Sequence, residues 1–173
     1  QKVGDVDWLQ ENYNFADVSF YIDELLILDV SRGERNLEQF CKVISRISAG
    51  CFAPIAAGGG ITSVEHAQRL LRSGADKIVL NSAISENYSL VSELSEVFGQ
   101  QCIIASVDVK KDVREGYSIY LRNGSKQLFT NTDEAFLWHL NGHVGEIYLN
   151  SMDQDGTGQG YDFGTLGVIP DGC

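Results

Sequence analysis

The chain has 173 residues, 43% of them apolar, and a formal net charge of −11, which is one domain's worth of sequence with enough apolar content for a packed core. The acidic balance argues against nucleic acid or an anionic membrane surface as partner, since both call for basic patches. No apolar run reaches the ~18 residues of a membrane span, and no signal-peptide pattern stands at Gln1.

Cys41, Cys51, Cys102 and Cys173 show no C-x-x-C spacing, and His66, His139 and His143 have no metal-ligand spacing. Cys41 and Cys102 sit in apolar stretches, as reduced core cysteines do. The expectation is a cytoplasmic protein without metal, cofactor or disulfide.

Residues 1–20 are polar and aromatic, with Trp8, Tyr13 and Phe15 suggesting a short helix or a packed loop. Glu24-Leu-Leu-Ile-Leu-Asp29-Val30 reads as a buried strand ending in a carboxylate. After a loop over Ser31–Arg35, Asn36 begins a helix that turns Leu37, Phe40, Cys41, Ile44 and Ile47 inward. Pro54-Ile-Ala-Ala is the next strand; Gly58-Gly59-Gly60 follows, and Thr62-x-x-Glu65 reads as a capping box opening a helix. That helix carries Val64, Ala67, Leu70 and Leu71 on one face and closes at Gly74. Lys77-Ile-Val-Leu-Asn81 is the following strand, so the unit is βαβ and the sheet parallel. Three glycines at a strand end, near a helix N-terminus, free backbone amides that suit a phosphate. A tight strand-to-helix turn with no ligand is the alternative, and the dinucleotide pattern G-x-G-x-x-G is not present.

Ser85 or Asn87 starts another helix, with Leu90, Val91, Leu94, Val97 and Phe98 inward. Cys102-Ile-Ile-Ala-Ser-Val-Asp108 is a strand with an acid at its C-terminal end, and residues around 113–130 read as a β-hairpin insertion turning at Asn123-Gly124. Asn131–Asn141 is expected to be a helix burying Ala135, Phe136 and Leu140. Glu146-Ile-Tyr-Leu-Asn150-Ser151 is one more strand, followed by an Asp- and Gly-rich loop through Tyr161-Asp162 and at most the start of a helix.

The segments around Glu24 and Glu146 look alike and stand 122 residues apart, which suggests a half-barrel duplication. The second copy of the glycine strand would then begin at about residue 176, and a complete (β/α)₈ barrel usually needs ~200 residues or more. The expected fold is a single α/β domain over residues 1–173, a (β/α)₈ barrel without its first strand and its last two.

With these residues in place, the chain resembles the cyclase subunit of imidazole glycerol phosphate synthase and its close paralogues from about Gly4 to Asp162. The resemblance is carried by Asp23-Glu24-Leu-x-x-Leu-Asp29, Gly58-Gly-Gly-Ile61, Gly74-Ala-Asp-Lys77, Asn81-Ser82-Ala83, Val107-Asp108-Val-Lys110, and Gly145-Glu146-Ile through Asp153-Gln-Asp155-Gly156-Thr157 to Gly160-Tyr161-Asp162. It implies a (β/α)₈ barrel that docks a glutaminase at one end and receives ammonia through the barrel. The ammonia is joined to a phosphorylated ribulosyl aminoimidazole intermediate, and no cofactor is called for.

By the same resemblance, Asp108 matches a catalytic aspartate acting as general acid/base, and Gly59, Gly60, Asn81 and Ser82 match a phosphate site. Asp29, Asp153, Asp155 and Thr157 match polar residues of the active-site face. Glu24, Lys77 and Glu146 match a charged ring where ammonia enters, and Asp76 matches a residue facing the glutaminase. Taken without the resemblance, the three charges read as a salt-bridge cluster at the strand ends, Asp29 as a cap for its own loop, and Asp153 and Asp155 as turn formers. The family's other catalytic aspartate, on the first strand, and its second phosphate site, on the last two, have no counterpart in these residues, so the fragment alone is expected to be inactive.

Cys51-Phe-Ala-Pro-Ile-Ala-Ala, Asn150 in Leu-Asn-Ser-Met-Asp, and Asn123-Gly-Ser-Lys126 resemble the paralogues linked to surface polysaccharides. These are thought to supply ammonia for amidating an N-acetylated sugar, which adds a sugar amidotransferase to the expected partners. The competing expectations are the histidine-pathway cyclase, a non-catalytic ammonia conduit, and a phosphosugar isomerase barrel.

Overall fold

The computed structural model describes residues 6–31, 33–112, 116–122, 124–128, 137 and 139–169. The chain divides into two compact units, residues 1–79 and 80–173.

The first unit opens with two short helices, α1 (Val6–Asn12) and α2 (Phe15–Val18). Arg46 ties α1 to the rest of its unit through an ion pair with Asp7 and a hydrogen bond to Gln10 Oε1 at 2.6 Å. Strands β1 (Leu25–Leu28), β2 (Ile55–Gly58) and β3 (Lys77–Leu80) alternate with helices α3 (Leu37–Ser48) and α4 (Val64–Arg72). β1 and β3 both pair in parallel with β2, in the register Leu26–Ala56–Lys77. Every residue of β2 is buried, as befits a parallel strand covered on both faces. The core is Ile44 and Ile47 of α3, Ala67 and Leu70 of α4, and Ile55, Ile78 and Val79 of the strands. Leu37, Phe40 and Cys41 of α3 are half-buried.

Asn36 caps α3 as its sequence position predicts, its side chain accepting from Gln39 N–H at 2.9 Å. The cap of α4 is a correction: Ser63, not Thr62, is the N-cap, accepting from His66 N–H at 3.1 Å. Two adjacent hydroxyl residues can each cap, and the extended backbone of Ser63 (φ −155°) aims its oxygen at the first free amides. The helix closes where expected. Gly74, at φ +108°, donates to the Leu71 carbonyl while Ala75 donates to that of Leu70, a Schellman pair.

The second unit continues with α5 (Ala83–Glu86) and α6 (Tyr88–Phe98), the latter capped by Asn87. Strand β4 (Ile103–Asp112) is longer than its sequence pattern suggests, because its last residues pair antiparallel with β5 (Gly116–Leu121). β5 in turn pairs antiparallel with β6 (Lys126–Gln127). β7 (Glu146–Ser151) runs parallel to β4, with Ile104 opposite Glu146 and Asp108 opposite Asn150. A 3₁₀ helix over Phe163–Val168 follows the Asp- and Gly-rich loop. Ile103, Ala105, Val107, Val109, Ile119, Leu121, Leu137 and Leu140 form the core. Asn123 of the hairpin turn, Ala135 and Phe136, most of the helix expected over 131–141, and Cys173 lie outside the described residues. Cys41, Cys51 and Cys102 are free thiols, half-buried.

Candidate active site

In the first unit, the C-terminal edge of the sheet brings together Asp29, Gly59 and Gly60. Asp29 follows β1, and its N–H donates to the Gly58 carbonyl at 2.8 Å. Its carboxylate accepts from Ser31 N–H at 2.9 Å and stands 3.9 Å from Arg35 Nε. Gly59 lies at φ +123°, and a Cβ there would come within 2.8 Å of Asp29 N and Cβ and closer still to the Asp29 carbonyl oxygen. Backbone packing alone therefore requires glycine at 59. Gly60, at φ +64°, is covered by the Arg35 side chain. His66 sits close by at the start of α4. Burial, reinforced by Arg69 and Arg35 and opposed by Asp29, holds its imidazole below the ordinary histidine value.

The opposite edge of the same unit holds Glu24, Asp76 and Lys77. Lys77 Nζ bonds Glu24 at 2.9 Å across β2, with both side chains about one-quarter exposed. Asp76 is exposed, yet its carboxylate accepts from Ile55 N–H at 2.8 Å, so it also pins the start of β2 to β3.

In the second unit, Asp108 is the centre of a polar cluster on one face of β4 and β7. Asn81 Nδ2 donates to Asp108 Oδ2 at 3.2 Å and to the Ser106 carbonyl at 3.0 Å, while Asn150 Nδ2 donates to Asp108 Oδ1 at 3.0 Å. Asp108 is 9% exposed. Each carboxylate oxygen is aimed by one amide and keeps lone pairs for a further donor, the arrangement a general acid/base needs. Asn81 thus directs both side-chain N–H groups at protein acceptors. A phosphate at this position would be met by the backbone or by Ser82, whose hydroxyl makes no cap bond to α5. Tyr148 shares the face, and its phenol is raised above the ordinary value by burial and then by Asp155, Asp108 and Tyr161. Glu146 starts β7 at the opposite edge from Asn150.

Asp153 accepts from Lys111 N–H at 2.7 Å, and Asp155 N–H donates to the Ser151 carbonyl at 2.9 Å. Thr157 Oγ1 donates to the Gln154 carbonyl at 2.8 Å and accepts from Gln159 N–H at 3.2 Å. Asn150 as the second partner of Asp108, and Tyr117 and Asp162, which bond at 2.7 Å, are absent from the sequence-derived site residues. The strand register that sets Asp108 opposite Asn150 is the signal that would have found the first.

Among the described residues no group of three or more His, Cys, Asp and Glu could hold a metal ion, and no helix is long and apolar enough to cross a membrane.

Parallel strands with connecting helices in the first unit, and a parallel β4–β7 pair carrying a buried carboxylate in the second, define an α/β protein. The family described as "Histidine biosynthesis protein" matches residues 11–171, and the chain belongs to that family, whose fold is a (β/α)₈ barrel. The chain is 42% identical over 164 residues to "Putative imidazole glycerol phosphate synthase subunit hisF2" of Parasynechococcus marenigrum, covering 94% of this chain and 60% of that protein. It is 41% identical over 152 residues to "Imidazole glycerol phosphate synthase subunit HisF" of Corynebacterium urealyticum (85% and 59%). To the HisF subunit of Bacillus cereus it is 36% identical over 162 residues (94% and 63%). The chain thus spans about 60% of the length of these curated relatives.

Proposed function

We propose that this chain belongs to a cyclase-type subunit that takes ammonia from a partner glutaminase and joins it to a phosphorylated small molecule, with Asp108 as general acid/base. The observation that carries the proposal is the buried Asp108 carboxylate, held by Asn81 and Asn150 level with the C-terminal end of β7. In this reading residues 1–173 are part of a single barrel domain. Gly59, Gly60, Asn81 and Ser82 serve phosphate binding, and Asp29, Asp153, Asp155 and Thr157 serve the reaction. Glu24, Lys77 and Glu146 serve the passage of ammonia.

Asp76 faces the glutaminase. Exposed Phe20, Tyr21 and Phe52 support docking there, because they precede β1 and β2 at that same edge of the first unit and Phe20 contacts Phe52. Within the family, Cys51–Ala57 and Asn150 support a paralogue serving amidation of an N-acetylated sugar in surface-polysaccharide synthesis, working in the cytoplasm beside a sugar amidotransferase.

The half-buried Glu24–Lys77 pair also favours a second reading, a conduit that passes ammonia without chemistry of its own. Turnover with ammonium salt separates the two. A catalytic Asp108 loses roughly 10²- to 10⁴-fold as Asp108→Asn, whereas a conduit keeps product formation in that variant and loses only its coupling to glutamine in Lys77→Ala.

A further inference from the structure

The loop after β7 is closed and held from outside by one cross-strand pair. Ser151 Oγ donates to Asp162 Oδ2 at 3.3 Å, which brings the two ends of residues 152–161 together as in an Ω-loop. At the loop's start, Lys111 N–H donates to Asp153 Oδ2 at 2.7 Å and Met152 N–H to the Val109 carbonyl at 2.8 Å. At its end, the Tyr117 hydroxyl donates to Asp162 Oδ1 at 2.7 Å. Lys111 and Tyr117 are direct partners in the β4–β5 ladder, so the hairpin grips both roots of the loop at one rung.

The Tyr117 seat is built closely. Its ring lies over Gly164, where an added Cβ would come within 2.5 Å of the phenol oxygen and 3.1 Å of Cζ. Asp162 also receives Gly164 N–H at 3.2 Å, but that bond and the one from Ser151 lie within residues 151–164 and do not involve the hairpin. Within the tip, Thr157 bonds the Gln154 carbonyl and receives Gln159 N–H, which shapes residues 154–159 without tying them to the hairpin. Gly156, Gly158 and Gly160 all have φ between +70° and +87°, and residues 155–160 are exposed. The bonds that place the loop against the hairpin are those at its roots.

We infer that Tyr117 is a positioning residue: through Asp162 it holds the 152–161 loop, with Asp155 and Thr157, in the conformation that receives the phosphorylated ligand. The inference rests on the reading of that loop as part of the reacting face. The Asp162 carboxylate also raises the Tyr117 phenol above its ordinary value, so the hydroxyl stays a donor throughout the physiological range.

The test is hydrogen exchange on the full chain, with ribulose 5-phosphate as the ligand probe, comparing wild type, Tyr117→Phe and Gly164→Ala. The first variant removes the donor and keeps the ring; the second leaves Tyr117 in the sequence but displaces its hydroxyl. Both are expected to speed exchange across 152–161 by roughly two- to tenfold, the effect of one hydrogen bond, with residues 146–151 unchanged. The Kd for ribulose 5-phosphate should rise by a similar factor. Unchanged loop exchange in Tyr117→Phe, or exchange that speeds equally along the whole chain, overturns the inference. A wild-type chain that fails to bind ribulose 5-phosphate overturns the proposed ligand class instead, and loop exchange still decides the role of Tyr117.

Discussion

Asn150→Asp tests the grip on Asp108 with almost no change of shape. The substitution puts a carboxylate oxygen where an amide N–H now stands 3.0 Å from Asp108 Oδ1. Two unit charges at that separation repel by about 5–6 kcal/mol at an effective dielectric constant of about 20. Rotation of residue 150 relieves part of this, and the pair binds a proton, as close carboxylate pairs do. One carboxyl of the pair is thereby raised in the folded state above its unfolded value of about 4. The stability from that proton is fully present below the unfolded value and is lost as pH rises through the raised folded value. The variant should therefore be about 2–4 kcal/mol less stable than wild type at pH 7 and should recover progressively as pH falls toward 4. Urea denaturation of both proteins at several pH values reads this directly. A deficit that stays constant with pH, or none at pH 7, would refute the placement of Asn150 against Asp108.

Gly59→Ala should destabilise by about 2 kcal/mol or more, because a strained φ and a backbone clash with Asp29 act together. Gly60→Ala meets only the movable Arg35 side chain and should cost about 1–2 kcal/mol; thermal unfolding compares the two, and equal effects would contradict the packing assigned to Gly59. The depressed His66 value means that folding favours its neutral form, so stability falls as pH drops from the ordinary histidine value of about 6.5 to the lower folded value. Denaturation curves of His66→Gln should lack that acid-side loss. Lys77→Ala leaves Glu24 without its partner across β2. Paired assays with glutamine and with ammonium salt should show glutamine-driven turnover falling while ammonium-driven turnover persists.

Local chemistry made much of the fold legible. Asn36 and Asn87 cap the helices they precede, and Gly74 ends α4, because caps and stops depend on residues within one helical turn. Thr62-Ser63 illustrates the limit. Either hydroxyl can cap, and only the backbone angle at Ser63 decides between them. The extension of β4 to Asp112 is invisible to hydrophobic patterning, since Lys110 and Lys111 are exposed and strand-like only through pairing with β5. Asp108 is legible as an acid after an apolar run, although β4 continues four residues beyond it, and its partners Asn81 and Asn150 are 27 and 42 residues away and meet it only in the folded sheet. Tyr117 and Asp162, 45 residues apart, are hidden for the same reason. The glycine run can be read as a phosphate seat or as a turn from sequence alone; in the structure, the approach of Asp29 is by itself sufficient cause for Gly59.

The central claim is that Asp108 performs proton transfer in an ammonia-dependent reaction. The direct measurement is turnover of the full-length protein with ammonium salt and the phosphorylated ribulosyl aminoimidazole substrate, comparing wild type with Asp108→Asn after both are shown to fold. A general acid/base at this position predicts a loss of roughly 10²- to 10⁴-fold in kcat with little change in KM. Turnover within a few-fold of wild type would contradict it and leave the barrel as a conduit for ammonia.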